Sequence, residues 1–85
     1  MAVRVPTDEE WSRLIAHLAA CDRRYRRAAG QLRRTGEGQA DVLATLDELI
    51  DAARACAQAS SSTLSRRHFA RLAERCAARA AGLRA

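Results

Sequence analysis

Lysine is absent from this 85-residue chain, whose fifteen basic side chains are all arginine. A GC-rich coding sequence produces such a bias without functional demand. Arginine also presents a planar fork that matches carboxylates and phosphates, so a polyanion or an acidic protein is a compatible partner. The net charge of +5 permits either. Aromatic residues are nearly as scarce: Trp11, Tyr25 and Phe69 are the three present. Stacking platforms for single-stranded nucleic acid are therefore missing, and large core anchors are few. No apolar run is long enough to span a bilayer. A basic amphipathic helix can also lie on a membrane surface, but here the apolar faces are needed for a core, so no membrane partner is expected. Residues 1–11 contain no apolar stretch of the kind a secretory leader needs. Three cysteines are an odd number, and none lies in a loop-rich framework, so free thiols in a reducing, cytoplasmic setting are expected. Gly36-Glu37-Gly38 lacks the strand and the lysine of a phosphate-binding loop.

What remains is helix-forming. Alanine, arginine, leucine and glutamate dominate, β-branched residues are rare, and no segment alternates as a strand would. Thr7-Asp8-Glu9-Glu10 has the spacing of a capping box. From there Trp11, Leu14, Leu18, Cys21, Tyr25, Ala28 and Leu32 recur in steps of three and four. The glycines at 36 and 38 close this first helix. Val42, Leu46, Leu49, Ala53 and Cys56 form a second seam, Ser60-Ser61-Ser62-Thr63 a polar break, and Phe69, Leu72, Cys76, Ala80 and Leu83 a third seam. The pattern predicts helices over about 7–35, 39–59 and 63–83, in one all-α domain covering 1–85. Turns this short make neighbours antiparallel, giving an up-down-up three-helix bundle.

The first helix should outrun the others by roughly 10 Å. With Leu32 level with Val42, Ala59 falls near Ile15, and Trp11 and Leu14 face nothing. Either Val3, Val5 and Pro6 fold over them, or a second copy or another protein does. The same register sets Arg23 against Asp51, Arg26 against Glu48 and Arg27 against Asp47.

The third helix breaks two local rules. Arg67, Arg71, Arg75 and Arg79 repeat at i,i+4 with only Glu74 close by, where like charges repel. Arg66, Arg67 and His68 crowd its first turn, the positive end of the helix dipole. Conflicts of this kind arise where function overrides stability, though a charged stripe can also be a merely solvated face. Groove-reading elements are missing, so the arginines point first to an acidic protein partner. The expected function is a non-enzymatic interaction module of adaptor, inhibitor or small-chaperone type, perceived through Arg66, Arg67, Arg71, Arg75, Arg79, Trp11 and Leu14, with homodimerisation as a further expectation. The alternative is sequence-independent binding of nucleic acid through the same arginines.

The cysteines occupy seams, where they serve as small hydrophobes. A sharper alternative places His17, Cys21, Cys56 and His68 in one layer, an acceptable ligand set for zinc, but paired C-x-x-C spacing is absent. The same groups could form a cysteine–histidine dyad, yet no orienting third group or oxyanion loop accompanies them. No cofactor, resident metal or catalytic residue is expected.

Overall fold

The computed structural model describes residues 5–85 and contains three helices: α1 (Asp8–Thr35), α2 (Gln39–Ala59) and α3 (Thr63–Arg84). They form an up-down-up bundle with a longer first helix. The local signals explain the limits. Thr7 is extended and its hydroxyl accepts the Glu10 backbone N–H at 3.1 Å, while Asp8, Glu9 and Glu10 sit at the positive end of α1. Gly36, at φ 74°, closes α1 by donating its N–H to the Leu32 carbonyl at 2.8 Å. Gly38, at φ 97°, starts α2. Two left-handed residues flanking Glu37 reverse the chain with no side-chain clash, which only glycine permits cheaply. At the second turn the Ser62 hydroxyl caps α3 by accepting the Ser65 N–H at 3.4 Å.

The bundle is elongated and lopsided. Its radius of gyration is 14.3 Å, against about 12 Å for a compact chain of this length. α2 is the hub: it buries Val42, Leu46, Leu49, Ile50, Ala52, Ala53 and Cys56. α3 buries Phe69, Ala73, Cys76 and Ala80, whereas α1, the longest helix, buries only Cys21 and Gly30. α1 and α3 both pack on α2, yet no Cα of α1 comes within 8 Å of a Cα of α3. Side-chain size accounts for this. Buried alanines and cysteines stand among Val42, Leu46, Leu49 and Ile50 in the core around α2, which lets backbones approach there. Between α1 and α3 stand aromatic rings, with Trp11 meeting Phe69 edge to face at a centroid distance of 5.8 Å.

That contact corrects the expected register. The Cys56 thiol donates to the carbonyl of Leu14, not Leu18, at 3.7 Å. The shift is two to four residues, since Glu48 meets Arg24 where Arg26 was expected. It brings the start of α1 down to the serine turn, so Trp11 rests on Phe69 beside Ala59 and Ser60, and both Trp11 and Leu14 are half-buried. Neither is an uncovered overhang. Val5 and Pro6 line the same cleft as Trp11, although Val5 stays 66% exposed; Val3 lies outside the described residues.

Two glycine substitutions should move stability in opposite directions. Gly36→Ala forces a side chain into a left-handed backbone and should cost about 1–2 kcal/mol. Gly82→Ala adds a Cβ with nothing within 4 Å inside α3 and should stabilise by up to about 0.5 kcal/mol, because the unfolded chain loses freedom. Urea denaturation of both variants checks the signs.

Candidate functional site

The arginines proposed for partner binding separate into two groups. Arg66 turns back from the first turn of α3 and donates from Nη2 to the Ser60 carbonyl at 3.1 Å. Ser60 is 4% exposed, and its hydroxyl in turn donates to the Cys56 carbonyl at 2.7 Å. α2 has no basic residue in its own last turn, so Arg66 supplies the positive charge that the negative end of α2 favours. One of the two broken rules is thus explained in part: Arg66 is misplaced for α3 but correctly placed for α2, while Arg67 and His68 stay exposed near the same helix end. Arg79 donates from Nη1 to the Tyr25 hydroxyl across the bundle. This hydrogen bond and the attraction of Tyr25 hold the Arg79 guanidinium above its ordinary pKa.

Arg67, Arg71 and Arg75 remain exposed, and among the described residues no carboxylate lies within 4.0 Å of their guanidinium groups. With Leu64, His68 and Glu74 they line a shallow depression along α3. Leu64 is 79% exposed, so an uncovered apolar side chain stands at one end of the charged face. Steps of four residues overshoot a turn by about 40°. The stripe therefore winds around α3, from open solvent at Arg67 to the α1 side at Arg75 and Arg79, where both border Tyr25, Leu46 and Cys76.

There the stripe meets the opening between α1 and α3. Ile15, Leu18, Ala19 and Asp22 of α1 face Phe69 and Leu72 of α3 across a cavity of about 390 Å³, with Leu49 of α2 at its base. Ile15 is 36% exposed at the lip. Ile15 and Ala19 were not among the residues singled out from the sequence. Their signal is present: spaced i,i+4 next to Leu14 and Leu18, they widen the apolar stripe of the first helix beyond what one neighbour covers.

The expected ion pairs are rearranged by the shift in register. Glu48 accepts from Arg24, not Arg26, at 3.0 and 3.2 Å. Asp47 pairs with Arg84 at 3.2 Å in place of Arg27, and Arg26 pairs with Asp22 of its own helix at 3.0 Å. Arg23 and Asp51 form no pair among the described residues. These exposed pairs are each worth under about 1 kcal/mol.

The proposed four-ligand layer also falls apart. His17 and Cys21 are neighbours, with Nε2 and Sγ 3.6 Å apart. His68 instead stacks edge to face on Phe69 and belongs to the arginine face. Among the described residues no three His, Cys, Asp or Glu side chains gather closely enough to hold a metal ion. Arg24 donates from Nη2 to Cys21 Sγ at 3.3 Å while holding Glu48, so the thiol sits in a small polar relay. Its residue nevertheless has no exposed surface, and thiol chemistry there requires the helices to part. The other two thiols are also buried, Cys56 fully and Cys76 at 8% exposure beside Arg75 and Arg79. Burial pushes Cys56 up from the ordinary 9.0. Burial does the same for Cys76, which Arg75 and Arg79 pull down and Asp22 pushes up.

No described helix is long and apolar enough to cross a membrane. No family model, curated protein or solved structure matches this chain.

Two measurements test these assignments. Arg66→Ala should lower stability by about 1 kcal/mol through loss of a charge-assisted cap, whereas Arg71→Ala should change it by less than about 0.5 kcal/mol; paired denaturation curves compare them. The raised thiols bind their protons more tightly folded than unfolded. Stability should therefore fall as pH rises from about 8 to about 10, and a Cys56→Ala variant should show a shallower decline; an identical decline would remove Cys56 from the effect.

Proposed function

We propose that this chain is a non-enzymatic helical interaction module, acting in the reducing cytoplasm, that binds an acidic surface of another protein through Arg67, Arg71 and Arg75. The reading is carried by one observation: three successive turns of α3 expose guanidinium groups that no carboxylate among the described residues satisfies, although like charges at this spacing repel. Folding gains nothing from the arrangement, while a partner carboxylate gains a bidentate site at each turn. Leu64 supports the reading, since exposed apolar surface beside unpaired arginine is the composition of an interface. The three buried free cysteines are consistent with a reducing compartment.

Nucleic acid is the competing class. Phosphates would satisfy the same guanidinium groups, but the aromatic rings that could stack on bases are engaged elsewhere: Phe69 is buried against Trp11, and Tyr25 accepts from Arg79.

Fluorescence anisotropy separates the two. A labelled glutamate-rich peptide and labelled duplex and single-stranded oligonucleotides are titrated with the protein at several salt concentrations. The expected result is peptide binding near physiological salt that weakens about threefold to tenfold when Arg71 and Arg75 are both alanine, with no comparable oligonucleotide binding. Tight oligonucleotide binding with a steep negative salt slope would transfer the arginines to phosphate recognition.

A further inference from the structure

We propose that the groove between α1 and α3 seats a single amphipathic helix from an acidic partner protein, its apolar strip on Ile15, Ala19 and Leu72 and its carboxylates against Arg75 and Arg71. The proposal rests on the reading of the chain as a protein-binding module and adds which part of the partner is bound and where.

The shape of the opening specifies a helix. Its two walls are parallel helices whose Cα atoms stay more than 8 Å apart, and its base is Leu49 of the central helix. From Ile15 to Arg26 the wall runs twelve residues, about 17 Å, or three turns. Such a trough accepts the ridge of a fourth helix, and one running antiparallel to both walls would align its dipole favourably with each. The walls are also short of cover. α1 buries only Cys21 and Gly30, and its apolar residues Trp11, Leu14, Leu18, Tyr25 and Leu32 are all half-buried.

Charge specifies the occupant. On the α1 lip Asp22 is already paired with Arg26 at 3.0 Å. On the α3 side Phe69 and Leu72 line the groove, and in the adjoining hollow beside Tyr25 and Cys76 Arg75 has no carboxylate partner among the described residues, while Arg79 has the Tyr25 hydroxyl. The rim is therefore positive along α3, and a helix with acids on that flank neutralises it. A second copy of this chain is the wrong match. A two-fold axis across the helices would oppose the arginine lips of the two copies, and one along the helices would set each arginine lip on an α1 lip whose Asp22 is already held by Arg26, in a chain that carries +5. The winding of the α3 stripe unites the two regions: carboxylates one turn further along the partner reach Arg71 and the open face.

Three synthetic peptides of about fifteen residues test this. The first carries a leucine strip at helical spacing flanked by glutamates. The second keeps the strip with lysines in place of the glutamates, and the third keeps the glutamates with serine in place of leucine. The first should bind near physiological salt, about tenfold or more tightly than either of the others. Ile15→Glu and Ala19→Glu, both at exposed lip positions, should each weaken it about tenfold with the helical circular dichroism unchanged, and Arg75→Ala about threefold. Equal binding of the first and third peptides would overturn the groove while leaving the arginine face intact. Equal binding of the first and second would overturn the acidic partner. Failure of all three would overturn the groove and the protein-binding reading together. Light scattering closes the remaining route: a dimer abolished by Ile15→Glu would assign the groove to a second copy and overturn the proposal.

Discussion

The structure depends on one helix, α2, that packs on two sides with Val42, Leu46, Leu49 and Ile50 interspersed with alanine and cysteine. α2 presents Ala52, Ala53 and Cys56, and meets Ala73, Cys76 and Ala80 on α3 and Cys21 on α1, all buried. Residues this short let backbones approach, and dispersion between closely packed atoms then compensates for the lack of large anchors. The aromatic residues go where the small ones are not. Trp11 and Phe69 prop the outer helices apart at one end, and Tyr25 and Arg79 bridge them further along. A bundle built around its middle helix in this way remains open on the side away from that helix, so the groove follows directly from how the core is made.

Arginine does several jobs in this chain, and environment separates them. Arg24 links Glu48 to the Cys21 sulfur and joins α1 to α2. Arg84 reaches Asp47 while the Gln39 side chain donates to the Leu83 carbonyl, tying the end of α3 to α2. Arg66 compensates the end of a helix it does not belong to. Subtracting these leaves Arg67, Arg71 and Arg75 as a contiguous set without a structural task on α3. The functional weight placed on α3 comes from that subtraction, since net charge alone would spread it over the whole surface.

Three helices and their order could be read from the sequence because their signals are local. Thr7 caps and Gly36 breaks by chemistry that needs only a few neighbours, and the seams mark the buried side of each helix. Register could not be read this way. A seam repeating every three or four residues looks the same after a slip of one turn, so Cys56 fits beside Leu18 almost as well as beside Leu14. What decides between them is the Trp11 to Phe69 contact, made between residues of the first and third helices. Every expectation built on register moved with it: the ion pairs, the uncovered Trp11 and the layer of His17, Cys21, Cys56 and His68. The arginine face survived because it lies on one helix. The groove was illegible because it is a property of three helices at once, visible only when side-chain sizes at both interfaces are known.

The openness of the bundle also fixes how binding and stability are coupled. α1 is the longest helix yet has the fewest fully buried residues, so its outer turns open at lower cost than α2, which is covered on both sides. A helix seated between α1 and α3 would cover Ile15 and Leu18 and add contacts that the free chain lacks. Its binding energy would then appear as protection of α1, and at a concentration one hundred times its dissociation constant it would add about 2.7 kcal/mol to the folded state. For a chain with so thin a core that is a large share of the total, since domains of this size are stable by about 5–15 kcal/mol. The side chains that leave the groove open are the same ones that hold the bundle together. Recognition at this site is therefore coupled to folding, and filling the groove internally with a larger residue would stabilise the module at the expense of its binding surface.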